Sequence, residues 1–420
     1  MNAVHRPAAT LSKGLAALCF AYAGVAVVAA EAPQAPLTLS EAMTTGKAQF
    51  ALRLRIEDVE DDALARSAIA DTFRARLGYE TRSWRGISAL IEVDHLGALG
   101  GQTYNSTRNG RTDRPVVSDP PATDLNQAVL KLTGAKNDLA LGRQRLVLDN
   151  QRFIGGVAWR QNEQTFDALV LRSRRLPGTS LTYSYIANVN RVFGPDAGSP
   201  PADLRSKSHV LHAAWDFKDK GKLSAFGHWL DFDNAPALSH QNLDVLWSGR
   251  RALGKSGWAL PWSLSYAHQS DFGDNAVDYA ANYYQLETGV ARDTLALRVG
   301  IEVLGGDRSR PERRFQTPLA TLHTFQGWAD KFLATPPQGV RDAYIAMTLR
   351  RAGFEGQIAW HDFRAEAVSR HYGDEWNASI SRKFFGNTDV LLKAAHYNAD
   401  GFAADATKLW LQLNTEFTTH

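Results

Sequence analysis

The residues of this sequence best placed to do chemistry are arginines set at intervals of two. Arg53 and Arg55 alternate with apolar residues in KAQFALRLRIE (47–57), as do Arg74 and Arg76 in TFRARLGYE (72–80). Arg143 and Arg145 repeat the interval in LGRQRL (141–146), where the phase of the alternation is ambiguous, and Arg298 stands in LALRVGIEV (295–303). A guanidinium is a planar fork of donors that fits a carboxylate through two parallel hydrogen bonds, so rows of them suit binding or guiding anions. Two readings stay open. Either the arginines select anions, or they pair with Glu57, Glu80, Glu92, Asp94, Glu287 and Glu302 and brace a wall.

An interval of two places side chains on one face of a strand. In 47–57, Phe50, Leu52, Leu54 and Ile56 share a face, while Arg53, Arg55 and Glu57 share the other. The clearest alternation sets Leu295, Leu297, Val299, Ile301 and Val303 against Ala296, Arg298, Gly300 and Glu302. Near the end, Leu409, Leu411, Leu413, Thr415 and Phe417 oppose Trp410, Gln412, Asn414 and Glu416. Such segments have one apolar and one wet side. Eighteen of them can be marked, from 47–57 to 406–417. The connections after even-numbered segments are short, such as 81–83, 134–137 and 351–352. Those after odd-numbered segments include the long stretches 96–124, 149–164, 189–206 and 305–340. Short turns at one end and long loops at the other describe an all-β, up-and-down transmembrane barrel with short periplasmic turns and long extracellular loops.

The rest of the sequence agrees with export to an outer membrane. Residues 1–14 carry Arg6 and Lys13 without an acid, 15–30 are uncharged, and Val28-Ala29-Ala30 offers small residues before a cleavage point, so 1–30 reads as a signal peptide. Cys19 follows Leu18, whereas lipoprotein processing needs a small residue there. Removal of 1–30 takes 47 basic residues to 45 against 44 acids and leaves no cysteine, so disulfides hold nothing in the mature chain. Residues 31–46 read as a periplasmic lead-in, 47–417 as the barrel and 418–420 as a tail. The mature net charge of +1 argues against a nucleic-acid partner.

Several segments resemble the alginate-export family of outer-membrane porins: NGRTDRPVVSDP (109–120), LGRQRLVLDNQRFIG (141–155), WRQNEQTFDAL (159–169), LDFDNAPALS (230–239), QSDFGDN (269–275) and TPLATLHTFQGWADKF (317–332). They occur in order between Lys47 and Phe417. The resemblance implies a monomeric eighteen-stranded barrel, with an arginine-rich lumen that in the family's namesake passes an anionic uronate polymer.

The expected function is therefore passive passage of anionic saccharides or other small anionic solutes, with an outer-membrane barrel enzyme of lipase or protease type as the alternative. The lumen candidates are Arg53, Arg55, Arg74, Arg76, Arg143, Arg145, Arg298, Glu57, Glu80, Glu92 and Glu302. In 305–340, Thr317 as cap, Pro318 at the first position and Leu319, Leu322, Phe325, Ala329 and Phe332 at helical spacing predict a helix that either constricts the lumen or packs on the rim. Phe325, Trp328 and Lys331 are its constriction candidates.

Three motifs carry little weight. GRRALGKS (249–256) matches a phosphate loop, but WALPWSLSYAH follows it, with a proline and period-two residues where a helix is needed. The acidic runs at 57–62 and 271–278 lack the spacing of a calcium loop, and His209 and His212 fall on opposite faces of a strand. No metal or cofactor is expected. The expected partners are the lipid bilayer with its lipopolysaccharide, the barrel assembly machinery and the solute.

Overall fold

A computed structural model of the protein describes residues 37–419, so the signal reading for 1–30 lies outside the described residues. The described part of the lead-in forms a helix of a turn and a half, α1 (Leu39–Thr44). Thr38 caps it: the Thr38 hydroxyl accepts from the Glu41 amide while the Glu41 carboxylate accepts from the Thr38 amide, satisfying two donors that a helix start leaves free.

Eighteen strands follow. The first six are β1 (Lys47–Asp61), β2 (Ala68–Glu80), β3 (Ile87–Ala98), β4 (Ala122–Thr133), β5 (Asn137–Gln144) and β6 (Thr165–Ser173). Next come β7 (Thr179–Asn190), β8 (Asp203–Asp216), β9 (Lys222–Leu230), β10 (His240–Ala252), β11 (Ala259–Asp271) and β12 (Ala280–Arg292). The last are β13 (Leu295–Leu304), β14 (Val340–Arg351), β15 (Phe354–Arg364), β16 (His371–Phe384), β17 (Thr388–Ala399) and β18 (Ala406–Thr418). Each pairs antiparallel with its neighbours in sequence, and β1 also pairs with β18, closing the sheet. At that seam Phe50 lies opposite Phe417 with the rings stacked, and the Thr419 amide donates to the Ala48 carbonyl.

Closure fixes what each face meets. Leu77, Leu141 and Leu243 are 63%, 56% and 60% exposed, and with Ile91, Leu130, Ile345, Leu392 and Phe417 they form an apolar outer surface. In a protein without its bilayer, that exposure is the mark of a lipid-facing wall, which a soluble sheet would have to hide. The closed ladder pairs the wall's backbone strand to strand all the way round, as hydrocarbon requires.

The apolar core lies inside the cylinder. Loops 145–164 and 305–339 fold inward and bring Leu146, Phe153, Ile154, Phe315, Leu319 and Phe332 against wall residues Phe226, Tyr283, Phe363, Tyr372 and Tyr397. The helix expected over 317–332 does not form. Only Leu322–Thr324 makes a 3-10 turn, and the backbone turns left-handed at Gln326, Gly327 and Asp330. The Trp328 and Ala329 amides, which a helix would use internally, donate to the Glu375 carboxylate of β16. Thr317 makes no cap. Its hydroxyl accepts from Arg152 instead.

Candidate functional site

Two loops inside a barrel leave the lumen side chains of the strands facing protein as well as water. On β1 and β2, Arg53, Arg55, Arg74 and Arg76 all lie in rows that alternate with outward residues, and loop 145–164 passes over them. Arg76 is the most heavily paired. Its Nη2 and Nε reach the two oxygens of Asp94 at 2.6 and 2.7 Å, its Nη1 reaches Glu163 at 2.9 Å, and Glu92 lies at 3.5 Å. Arg145 lies between Glu92 at 2.5 Å and Glu163 at 2.6 Å. Arg74 approaches Glu163 at 3.7 Å. A bulge in β4 opposite Glu92 and Val93 turns both Asn126 and Gln127 towards the Glu92 carboxylate, to which they donate at 2.6 and 3.3 Å.

Glu163 thus serves three arginines. Burial alone would raise its carboxyl, but Arg76, Arg145 and Arg74 together hold it well below the ordinary carboxylate range. Beside this node, Arg55 stacks over Trp159 with its guanidinium carbon 4.2 Å from the ring centre and lies 3.7 Å from Asp119. Arg160 reaches Glu57 at 3.4 Å and Asp330 at 3.2 Å. Arg53 differs from all of these. Its donors go to the backbone carbonyls of Ala158, Trp159 and Arg160, and no described carboxylate lies within 4.0 Å of it.

The wall of β13–β15 is led by acids instead. Glu302 on β13 accepts from Arg152 of loop 145–164 at 2.6 Å, from the Tyr283 hydroxyl at 2.7 Å and from the Gln326 amide. Asp342 on β14 pairs with His361 on β15 at 3.0 Å, and Arg298 meets Glu287 at 3.5 Å. Loop 145–164 therefore brings Arg152 to the acidic wall, and to the arginine-bearing wall it brings Glu163 with Arg145 and Arg160.

A third node joins both loops to β17 and β18. The Lys393 ammonium lies 3.8 Å from the Trp328 ring centre, 4.1 Å from Trp159 and 5.3 Å from Trp410, and bonds His323 Nε2 at 2.6 Å. His323 stacks on Trp159 at 4.6 Å, and its Nδ1 meets Asp330 at 2.7 Å. Asp330 also accepts from Lys408 at 2.8 Å. Burial, aided by Lys393 against the pull of Asp330, lowers His323 to about 3 and keeps the ring neutral at neutral pH. Against burial, which alone would raise it, His323, Lys408 and Arg160 hold the Asp330 carboxyl well below its usual range.

The expected constriction residues occupy the lumen without a helix to carry them. Phe325 lies over the Arg152 guanidinium at 4.7 Å, Trp328 over Lys393, and Lys331 reaches Asp61 at 2.9 Å. Glu80 pairs with Lys131 at 2.7 Å towards the short-turn end, apart from the arginine node. Arg143 is the correction among the lumen candidates. It shares the row of Leu139 and Leu141, which Leu141 presents outward, while Ala140 and Gln144 are buried, and it pairs with Asp167 at 2.8 Å and Asp124 at 3.6 Å. Sequence reasoning missed Asp119, Arg152, Trp159, Arg160, Glu163, Asp330, Lys393 and Lys408. Lys408 and Trp410 alternate with outward Leu409 and Leu411, so period two already placed them inside. The loop residues carried no such signal.

The family model described as alginate export matches residues 69–302. The chain belongs to the alginate export family. It thereby takes its place among porin-type barrels of the bacterial outer membrane, and solved structures show the same fold. OccAB4 from Acinetobacter baumannii is similar at 15% identity, with 89% of this chain and 98% of that one covered and a TM-score of 0.72. OpdK from Pseudomonas aeruginosa, in a structure with vanillate, is similar at 13% identity over 90% and 100% of the two chains, TM-score 0.69. OpdQ from the same organism has 16% identity over 91% and 100%, TM-score 0.68. No curated protein sequence matches this family member.

Proposed function

We propose that this barrel is a passive channel for small anionic solutes, of which carboxylate-bearing sugars and acids fit best, and that it performs no catalysis. The observation that carries the reading is Arg53. It is a lumen guanidinium oriented by three backbone carbonyls and left without a carboxylate, so its charge remains available to a passing anion. The fold shared with a structure that holds vanillate, itself a carboxylate, is in keeping with that class. Against an enzyme stands the geometry where serine, histidine and aspartate meet. Asp149 sits between Ser224 Oγ at 2.9 Å and His212 Nε2 at 2.8 Å, so the imidazole is turned to the carboxylate rather than to the hydroxyl it would have to activate.

The test is the reversal potential of the reconstituted channel in a salt gradient. Wild type should prefer chloride at low ionic strength, with the preference fading as screening lengths fall from about 10 Å at 0.1 M to about 3 Å at 1 M. Arg53→Gln should move the potential towards zero. A cation-selective wild type would overturn the proposal.

A further inference from the structure

A second group of unpaired cations lies at the long-loop end, in loops 99–121 and 191–202, away from the strands that carry the arginine node. Arg108 and Arg191 both rest against the Phe193 ring, with guanidinium carbons 5.9 and 4.6 Å from its centre. Their bonds are to uncharged acceptors. Arg108 donates to the Pro200 carbonyl at 2.9 Å and to the Thr107 carbonyl at 3.1 Å and hydroxyl at 3.3 Å, and Arg191 donates to the Pro201 carbonyl at 3.2 Å. Arg108 Nε is buried with no partner among the described residues. No described carboxylate lies within 4.0 Å of either guanidinium, and Asp196, whose charge acts on Arg108, is exposed beyond that distance.

Two like charges held against one ring, partly removed from water and without a counter-charge, are costly to keep together unless an anion joins them. Arg191 shows the effect: burial, with the neighbouring Arg108 charge added, lowers it to about 10. The pair is also next to the lumen. The Arg191 carbonyl accepts from the side chain of Asn162, whose neighbour in sequence is Glu163 of the arginine node.

We propose that Arg108 and Arg191 form an outer oxyanion-binding subsite that takes the carboxylate of an acidic sugar before it reaches the lumen. This rests on the reading of the barrel as an anion conduit and adds a place where the anion is first held. The guanidiniums supply the charge, the Pro200 and Pro201 carbonyls aim them, and Phe193 keeps them close. Gly198 keeps the space open, because a Cβ there would stand 2.8 Å from Arg108 Nη1.

Calorimetric titration of the detergent-solubilised full chain with galacturonate trimer tests the subsite without requiring conduction. Wild type should bind the trimer at low salt and leave neutral maltotriose unbound. Arg108→Gln combined with Arg191→Gln should weaken binding tenfold or more, and Gly198→Ala, which keeps both charges but displaces Arg108, should weaken it severalfold. The Arg108→Lys, Arg191→Lys pair should retain most of the affinity, showing that the loops remain folded. Unchanged binding in the double glutamine variant, equal binding of maltotriose or no binding by wild type would each overturn the subsite. Failure of the conduit reading shows separately, in the reversal potential of the same wild-type protein.

Discussion

The wall of β1–β3 is led by strand arginines, and the wall of β13–β16 by strand carboxylates. On the first, the strands supply Arg53, Arg55, Arg74 and Arg76 with Glu57, Glu92 and Asp94 among them, and the inserted loop adds Glu163 together with Arg145 and Arg160. On the second, the strands supply Glu302 and Glu375, and the loops answer with Arg152 and with backbone amides of Trp328 and Ala329. A composition of 47 basic against 44 acidic residues averages the two and hides both. What matters for an ion inside is the local excess, because a low-dielectric wall and a narrow path keep each field near its source. The contrast also assigns loop 145–164 its work: held through Arg152 on one wall and through Glu163 on the other, it is seated by both walls at once.

The comparison is most severely tested by removing the charge that serves the most partners. Glu163→Gln takes a carboxylate from three arginines at once: Arg74 loses the one it pairs with, while Arg76 keeps Asp94 and Glu92 and Arg145 keeps Glu92, and breaking a buried ion pair such as that of Arg74 costs about 3–5 kcal/mol. Thermal unfolding in detergent should show a large loss, exceeding that of Glu302→Gln on the other wall, which takes a carboxylate from one cation, Arg152, and leaves an amide to meet Tyr283 and Gln326. Equal losses would mean that the two walls are held alike. A smaller effect separates lumen from lipid: Leu297→Arg puts charge at an outward position, at a cost of at most about 2–4 kcal/mol, while Arg298→Leu beside it leaves the lipid contact intact. Assembly yields of the two variants give the reading, and equal damage would invert the faces.

The smallest expected effect is a pH dependence at the third node. Free histidine titrates near 6.5 and His323 at about 3. Between those values a released loop takes up a proton that the seated loop refuses, so seating is complete above about 6.5 and weakens as pH falls towards 3. Current noise in single-channel records should rise over that window and be flattened by His323→Gln. Noise that is independent of pH in wild type would detach the Lys393 and Trp159 cage from the seating of the loop.

The strands were legible because period two is a local property, and each candidate segment, such as 295–303, carries its own alternation. The loops were not, because their partners are distant. The spacing of Leu319, Leu322, Phe325 and Phe332 is equally that of a helix and of an irregular segment buried on several sides. What decides between them is Glu375, 47 residues beyond Trp328, which captures the amides a helix needs. Arg143 and Arg145 mark the same limit on a smaller scale. They share an interval of two, but β5 ends at Gln144, so the first keeps the outward row of Leu141 and the second turns in to Glu163.

The pairing of β1 with β18 has a consequence for how such a molecule comes to exist. The Ala48 amide waits for the hydroxyl of Thr419, 371 residues away, so the ring is joined only once β18, the last strand of the barrel, is in place. Until then both ends of the growing sheet carry open ladders that hydrocarbon cannot satisfy. A chain stopped after β17 is therefore not a narrower pore. It is a sheet with two unpaired edges, and its fate is to be held by a helper, to pair with another chain or to be degraded.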